Sequence, residues 1–114
     1  CENRSKWIAD VTVPDNTVFT PGQDFKKTWR VQNSGTCTWD PKYTLQFKDG
    51  LQMAGTQAFM PINVPPGQQV DISIDLEAPK DIGSCYGRWV LADPDGKFFG
   101  AYLTVVLKVE GTAQ

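Results

Sequence analysis

The chain has 114 residues, 40% of them hydrophobic and 21% charged, with a formal net charge of -2 and no histidine. That length suits one domain over residues 1–114 with a core over about 7–109, filling two layers. The balanced charge excludes the basic stripe of a nucleic-acid binder, and the absent imidazole removes Ser–His and Cys–His nucleophilic pairs and the commonest zinc ligand.

Taken from the N-terminus, the chain opens at Cys1 without a leader-like stretch and is expected to be a processed product or an excised piece. The pattern then has period two almost throughout. In Phe25 to Gln32 the expected inward residues are Phe25, Trp29 and Val31, with Lys26, Thr28, Arg30 and Gln32 outward. Lys27 interrupts that run and is expected at the mouth of the strand, stem packed and ammonium in solvent. Tyr43, Leu45 and Phe47 alternate with Thr44, Gln46 and Lys48; Val70, Ile72, Ile74 and Leu76 alternate with Asp71, Ser73, Asp75 and Glu77. Gly87, Trp89 and Leu91 alternate with Arg88 and Val90, and Leu103, Val105, Leu107 and Val109 share one face. Turn residues punctuate these runs at Pro14-Asp15-Asn16, Pro21-Gly22, Asn33-Ser34-Gly35, Pro65-Pro66-Gly67, Pro79-Lys80-Asp81 and Pro94-Asp95-Gly96. The predicted fold is all-β, an immunoglobulin-like antiparallel sandwich of two sheets, with about seven strands near 7–13, 25–33, 38–48, 56–62, 69–77, 85–93 and 98–109. The longest apolar run, Leu103 to Leu107, is strand-sized, far short of a membrane span.

Several segments invite a chemical reading and then fail it. Asp93-Pro94-Asp95-Gly96 opens like a calcium loop, but Lys97-Phe98-Phe99 follows where an acidic ligand belongs, so a hairpin turn is expected. Gly50-Leu51-Gln52-Met53-Ala54-Gly55 lacks the Lys-Ser/Thr of a phosphate loop and reads as a crossing between sheets. No acid–base constellation assembles, and no enzyme activity, metal or cofactor is expected.

Four tryptophans, Trp7, Trp29, Trp39 and Trp89, are many for this length. They are expected to pack the interior, Trp39 excepted, whose place after a turn suits either a core cap or a pocket wall. The segments Asp10-Val11-Thr12-Val13-Pro14-Asp15, Lys27 to Trp39, Pro66-Gly67-Gln68, Val70 to Ser73, Gly87-Arg88-Trp89 and Phe99-Gly100 together resemble the four-tryptophan (FW) domain. That family is known from cargo receptors of selective autophagy and from exported bacterial proteins. The resemblance implies an immunoglobulin-like sandwich that binds protein and does no catalysis. The family's fourth tryptophan falls at Tyr102, and Trp7 stands where phenylalanine is usual; Trp7, Trp29, Trp89 and Tyr102 are therefore expected in the core.

In that topology the first and third strands begin at the same end, which places Cys1 near Cys37 and suggests a disulfide. The alternatives are three reduced thiols, or a lipid anchor on Cys1 as in a mature bacterial lipoprotein. Cys85 is expected unpaired. The expected binding surface draws on Trp39, Asp40, Tyr43, Met53, Tyr86 and Arg88, because Tyr, Trp, Met and Arg are enriched where proteins dock. The expected partner is a protein or peptide, self-association being a further possibility. Two functions stay open: a cargo-recognition module in the cytoplasm, or an exported bacterial structural or adhesive domain, cross-linked, polymerising or glycan-binding. The Cys1 and Cys37 context favours the extracellular or envelope location.

Overall fold

The computed structural model describes residues 1–111; the last three residues of the expected domain, 112–114, lie outside them. Eight strands and no helix form among the described residues. In chain order they are β1 (Ser5–Asp10), β2 (Thr17–Phe19), β3 (Asp24–Asn33), β4 (Thr44–Gly50), β5 (Ala58–Phe59), β6 (Gln69–Glu77), β7 (Gly83–Ala92) and β8 (Phe98–Val109). One sheet has the order β1-β3-β6 and the other β2-β8-β7-β4-β5. The architecture is the expected immunoglobulin-like sandwich, with β2 parallel to β8 and every other pairing antiparallel.

Between the sheets Trp29, Val31, Leu45, Trp89, Leu91, Leu103, Val105, Leu107 and Val109 are all fully buried. The alternation along β6 is complete: Val70, Ile72, Ile74 and Leu76 are buried, and Asp71, Ser73 and Asp75 are exposed. Trp29 carries its polar atom with it, since Nε1 donates to the Thr104 carbonyl at 3.0 Å. Gly55 lets the crossing loop lie flat on Trp89, because a Cβ there would fall 2.7 Å from the ring.

The strand count differs from seven because the first strand is split. β1 ends at Asp10, the chain turns through Val11–Asn16, and β2 joins the opposite sheet. Lys27 makes this switch possible and corrects the expectation of a solvated ammonium. It keeps the inward parity of Phe25, Trp29 and Val31 and is completely buried. Its Nζ donates to Asp10 Oδ1 at 3.0 Å, to the Thr12 carbonyl at 3.0 Å and to the Val13 carbonyl at 2.7 Å. It also lies 5.5 Å from the Trp29 ring centroid. A charge can leave water only when paired and hydrogen-bonded, and here the three donors have three acceptors.

The expected strand 38–48 begins only at Thr44. Asp40 Oδ1 accepts from the Lys42 amide at 2.8 Å and the Asp40 carbonyl from the Tyr43 amide at 2.9 Å, a turn that keeps Pro41 off the ladder. Trp39 instead forms an isolated bridge with Val64.

Cys1 and Cys37 are joined by a disulfide across 36 residues of chain. The bridge pairs the two cysteines that the topology brings together and leaves Cys85 free. It extends a hydrogen-bonded seam: the Glu2 carbonyl accepts from the Thr36 amide at 2.8 Å, and the Arg4 carbonyl from the Ser34 amide at 3.2 Å.

Two stability predictions follow from these contacts. Lys27→Met removes the ammonium but strands Asp10 and two carbonyls, and should lower the unfolding free energy by about 3–5 kcal/mol. Exposed Lys6→Met should change it by less than about 0.5 kcal/mol. Urea unfolding followed by tryptophan fluorescence measures both. Reducing the Cys1–Cys37 bridge should cost about 3–4 kcal/mol for a loop of this length, read as a lower urea midpoint after reduction and alkylation.

Candidate binding surface

The six residues expected to form one binding surface do not come together. Trp39 is completely buried, its ring 5.8 Å from that of Phe99. Tyr43 is buried beside it, edge-on to Phe99 at 5.9 Å, with its hydroxyl donating to Asn3 Oδ1 at 2.9 Å. Asp40 is half-buried and holds the turn described above. These three cap the end of the sandwich where β3 finishes and β6 begins. Met53 belongs to the opposite end: it is buried in the core, and its carbonyl accepts from the Glu77 amide at 2.8 Å where β6 ends. A protein surface needs side chains that can be reached, so Trp39, Tyr43 and Met53 are core residues instead.

Tyr86 and Arg88 occupy the outer face of β7, where Arg88 meets Tyr102, one of two exposed residues expected in the core. Trp7 is 47% exposed and Tyr102 is 49% exposed, which corrects both assignments. Tyr102 alternates with inward Leu103, so strand parity turns it outward. Trp7 sits on β1, an edge strand of its sheet, where no further strand covers it. Tyr86 is likewise 49% exposed. The Arg88 guanidinium lies 5.1 Å from the Tyr102 centroid and 6.0 Å from that of Tyr86, so one cation bridges two aromatic faces. Asp49 holds Arg88 in a bidentate pair. The hydrogen bond that Arg88 donates to Asp49 pushes the guanidinium pKa above its ordinary value, the pair facing water throughout.

β-Bulges aim these side chains. The register shift between Phe47 and Asp49 sets Asp49 opposite Arg88, with Lys48 displaced. A second shift, between Trp89 and Leu91, adjoins Gly100, whose backbone at φ 81° few L side chains adopt. A third, between Trp7 and Ala9, pairs Trp7 with Val31 and Asp10 with Trp29. Cross-strand partners share a face, so Trp7 and Asp10 lie on the same side of β1. There β1 runs beside β8, tied by the Ala101 amide donating to Ser5 Oγ at 2.9 Å. The result is a row of exposed rings and one guanidinium, Trp7, Tyr102, Arg88 and Tyr86, carried on strands.

The other groups singled out in the sequence are otherwise engaged. Asp93 Oδ1 accepts from the amides of Asp95 at 3.0 Å and Lys97 at 2.9 Å, closing a hairpin. Asp71 pairs with Arg30, whose hydrogen bond pulls the carboxyl pKa down. Cys85 is a half-buried free thiol whose pKa burial pushes up, a setting that slows thiolate chemistry.

Burial also raises the Tyr43 pKa, favouring the neutral phenol in the folded chain. Its contribution to stability is complete below the unfolded value near 10 and is lost as pH rises through the higher folded value. Tyr43→Phe should therefore flatten the alkaline decline above about pH 10, measured by urea midpoints on rising pH, while lowering neutral-pH stability by about 1 kcal/mol for the lost hydrogen bond.

Comparison with known proteins agrees with this architecture. Residues 12–109 match the family described as the Ig-like domain from next to BRCA1 gene. Protein ILRUN of Danio rerio is 32% identical over 104 residues, covering 91% of this chain and 37% of that protein. The NBR1 homolog of Arabidopsis thaliana is 28% identical over 112 residues, covering 95% of this chain and 16% of that protein. The chain thus spans well under half the length of these relatives. Among solved structures, the CARDB domain of a Pyrococcus furiosus protein superposes with a TM-score of 0.54 at 14% identity, covering 94% of this chain and 91% of that one, a likeness of fold alone. With nearly its whole length matched, the chain belongs to the family of the Ig-like domain from next to BRCA1 gene.

Proposed function

We propose that this chain is a non-catalytic protein-binding module that docks its partner on the outer face of β7 and β8, and that it serves cargo recognition of the kind its FW-type relatives perform. The observation that carries the reading is the row Trp7, Tyr102, Arg88 and Tyr86: two large exposed rings around one guanidinium, with a third ring beside Tyr102. Aromatic and arginine side chains dominate binding energy at interfaces because they bury much area with polar reach and few rotors. Asp49 fixes Arg88 beforehand, so less side-chain entropy is lost on docking.

A second reading, an exported structural or adhesive domain, draws support from one feature, the Cys1–Cys37 bridge, which persists in oxidising compartments. Chain recovered from its source without reductant separates the two: a two-dalton mass gain on reduction supports export, and fully reduced thiols support the cytoplasmic module.

The docking surface is tested with the immobilised chain and the proteins it retains from extract, quantified by mass spectrometry. Tyr86→Ala with Arg88→Ala should lower retention of specific partners about tenfold or more while the urea midpoint moves little. Unchanged retention by the folded double variant would remove this face from consideration.

A further inference from the structure

Where β1 passes β8, at the seam between the two sheets, Trp7, Asp10, Asp15, Tyr102 and Thr104 line a cleft of about 160 Å³. We infer that this cleft binds the ammonium of a lysine side chain presented by the partner, a specificity pocket at one end of the docking row. The inference rests on the protein-binding reading above and adds a ligand chemistry to it.

The lining has the composition that a cation on an aliphatic stem requires. Trp7 and Tyr102 supply two π faces, negative at their centres, that attract a cation within about 6 Å and accept methylene groups equally well. Asp15 is an exposed carboxylate at the rim. Asp10 contributes a second; its Oδ1 receives Lys27, which fixes the carboxylate, and Oδ2 remains the other acceptor. Thr104 adds a hydroxyl. The fold itself shows the pairing works in this chemistry, since Lys27 is held by the same Asp10 with its ammonium 5.5 Å from the Trp29 ring. A second lysine would meet a wetter version of that arrangement. An anionic guest is disfavoured by both carboxylates. An uncharged apolar guest would leave the Asp15 carboxylate desolvated at the rim without a partner. The size of the cleft suits one long side chain rather than a backbone segment.

The positions are also held. The bulge between Trp7 and Ala9 sets Trp7 and Asp10 on one side of β1, and the Ser5–Ala101 hydrogen bond fixes β1 against β8. Asp15 follows the turn clamped by Lys27 through the Thr12 and Val13 carbonyls. Three elements therefore meet at the cleft without any loop having to close.

The test uses the 114-residue chain and small probes, so it does not depend on knowing the partner. Nα-acetyl-lysine amide is titrated while the Trp7 indole N–H is followed by NMR, with Nα-acetyl-norleucine amide and the Nε-acetylated lysine probe as uncharged controls. The expected result is a saturable shift of the Trp7 signal with the lysine probe alone. Asp15→Asn and Tyr102→Leu should each weaken it roughly threefold to fivefold, the size of an exposed cation–π or ion contact. Both sites are exposed, and an unchanged urea midpoint shows that the variants fold. Equal shifts from the norleucine probe, or none from any probe, would overturn the pocket. Such a failure leaves the retention experiment with Tyr86 and Arg88 untouched, while normal lysine binding beside unchanged retention would remove the wider docking face and spare the pocket.

Discussion

The structure depends on a single buried ammonium. Lys27 sits where the N-terminal chain leaves one sheet for the other, and that crossing is costly without it. Val13 adopts φ 52° and Asn16 φ 68°, the first a left-handed conformation that a β-branched residue rarely tolerates. Strain of this kind costs about 1–3 kcal/mol at a residue. The ammonium offsets it by gathering the Thr12 and Val13 carbonyls and the Asp10 carboxylate around one point. Thr12 assists from the other side, its hydroxyl donating to the Lys26 carbonyl and accepting from the Thr28 amide. The turn is thus folded around a charge, and β2 reaches its parallel pairing with β8 as a consequence.

That crossing also determines what the surface can do. Because β2 pairs with β8 only over Leu107–Val109, the earlier part of β8 keeps a free flank, and β1 lies against it. Trp7 is drawn to this flank, beside Tyr102, and away from the interior its family position suggested. The sandwich fills its centre with three other indoles, Trp29, Trp39 and Trp89, and needs no fourth. An aromatic ring left out of the core becomes available to a partner, and the bulges in β1, β4 and β8 set the positions of such rings and their one guanidinium.

Much of this was legible in the residues, and the misses have identifiable causes. Period-two burial gave the sheets, because water on one side and core on the other leaves β6 and β8 little choice. The same parity, applied to Tyr102 beside inward Leu103, places the ring outside; the family position of a tryptophan pointed the other way, and strand geometry prevails. Lys27 shares the inward parity of Trp29, yet its charge suggests solvent. Only the three acceptors, brought from Asp10, Thr12 and Val13 by the chain's crossing, reverse that, and no local window contains them. Trp39, open between core and pocket wall, and Met53, expected at the binding surface, are misses with a related cause. Loop residues take burial from whatever packs over them, here Phe99 and Val64 for Trp39, and the neighbours are far off in sequence. The three-residue β2 escaped notice because so short a strand has no period to detect.

Rigid placement and modest size together constrain how such a surface operates. A stable complex of ordinary size covers about 800 Å² on each partner, centred on a few desolvated anchors with a polar rim that keeps water from them. Three side chains on the β7–β8 face and Trp7 on neighbouring β1 supply anchors, while Lys48, Phe98 and Val106 around them offer only part of a rim. Affinity from one copy should then be moderate, and the compensation lies in preorganisation: strands, bulges and the Asp49 contact hold the anchors before the partner arrives, so docking orders little on this side. The same fold supports unrelated tasks elsewhere, and its core residues are shared among them in kind. What separates one such sandwich from another is therefore the identity of outward side chains at positions the core does not dictate. In this chain those positions carry rings beside carboxylates at one end and rings beside a guanidinium at the other, and on the proposed reading that polarity would set the direction of a segment laid across it.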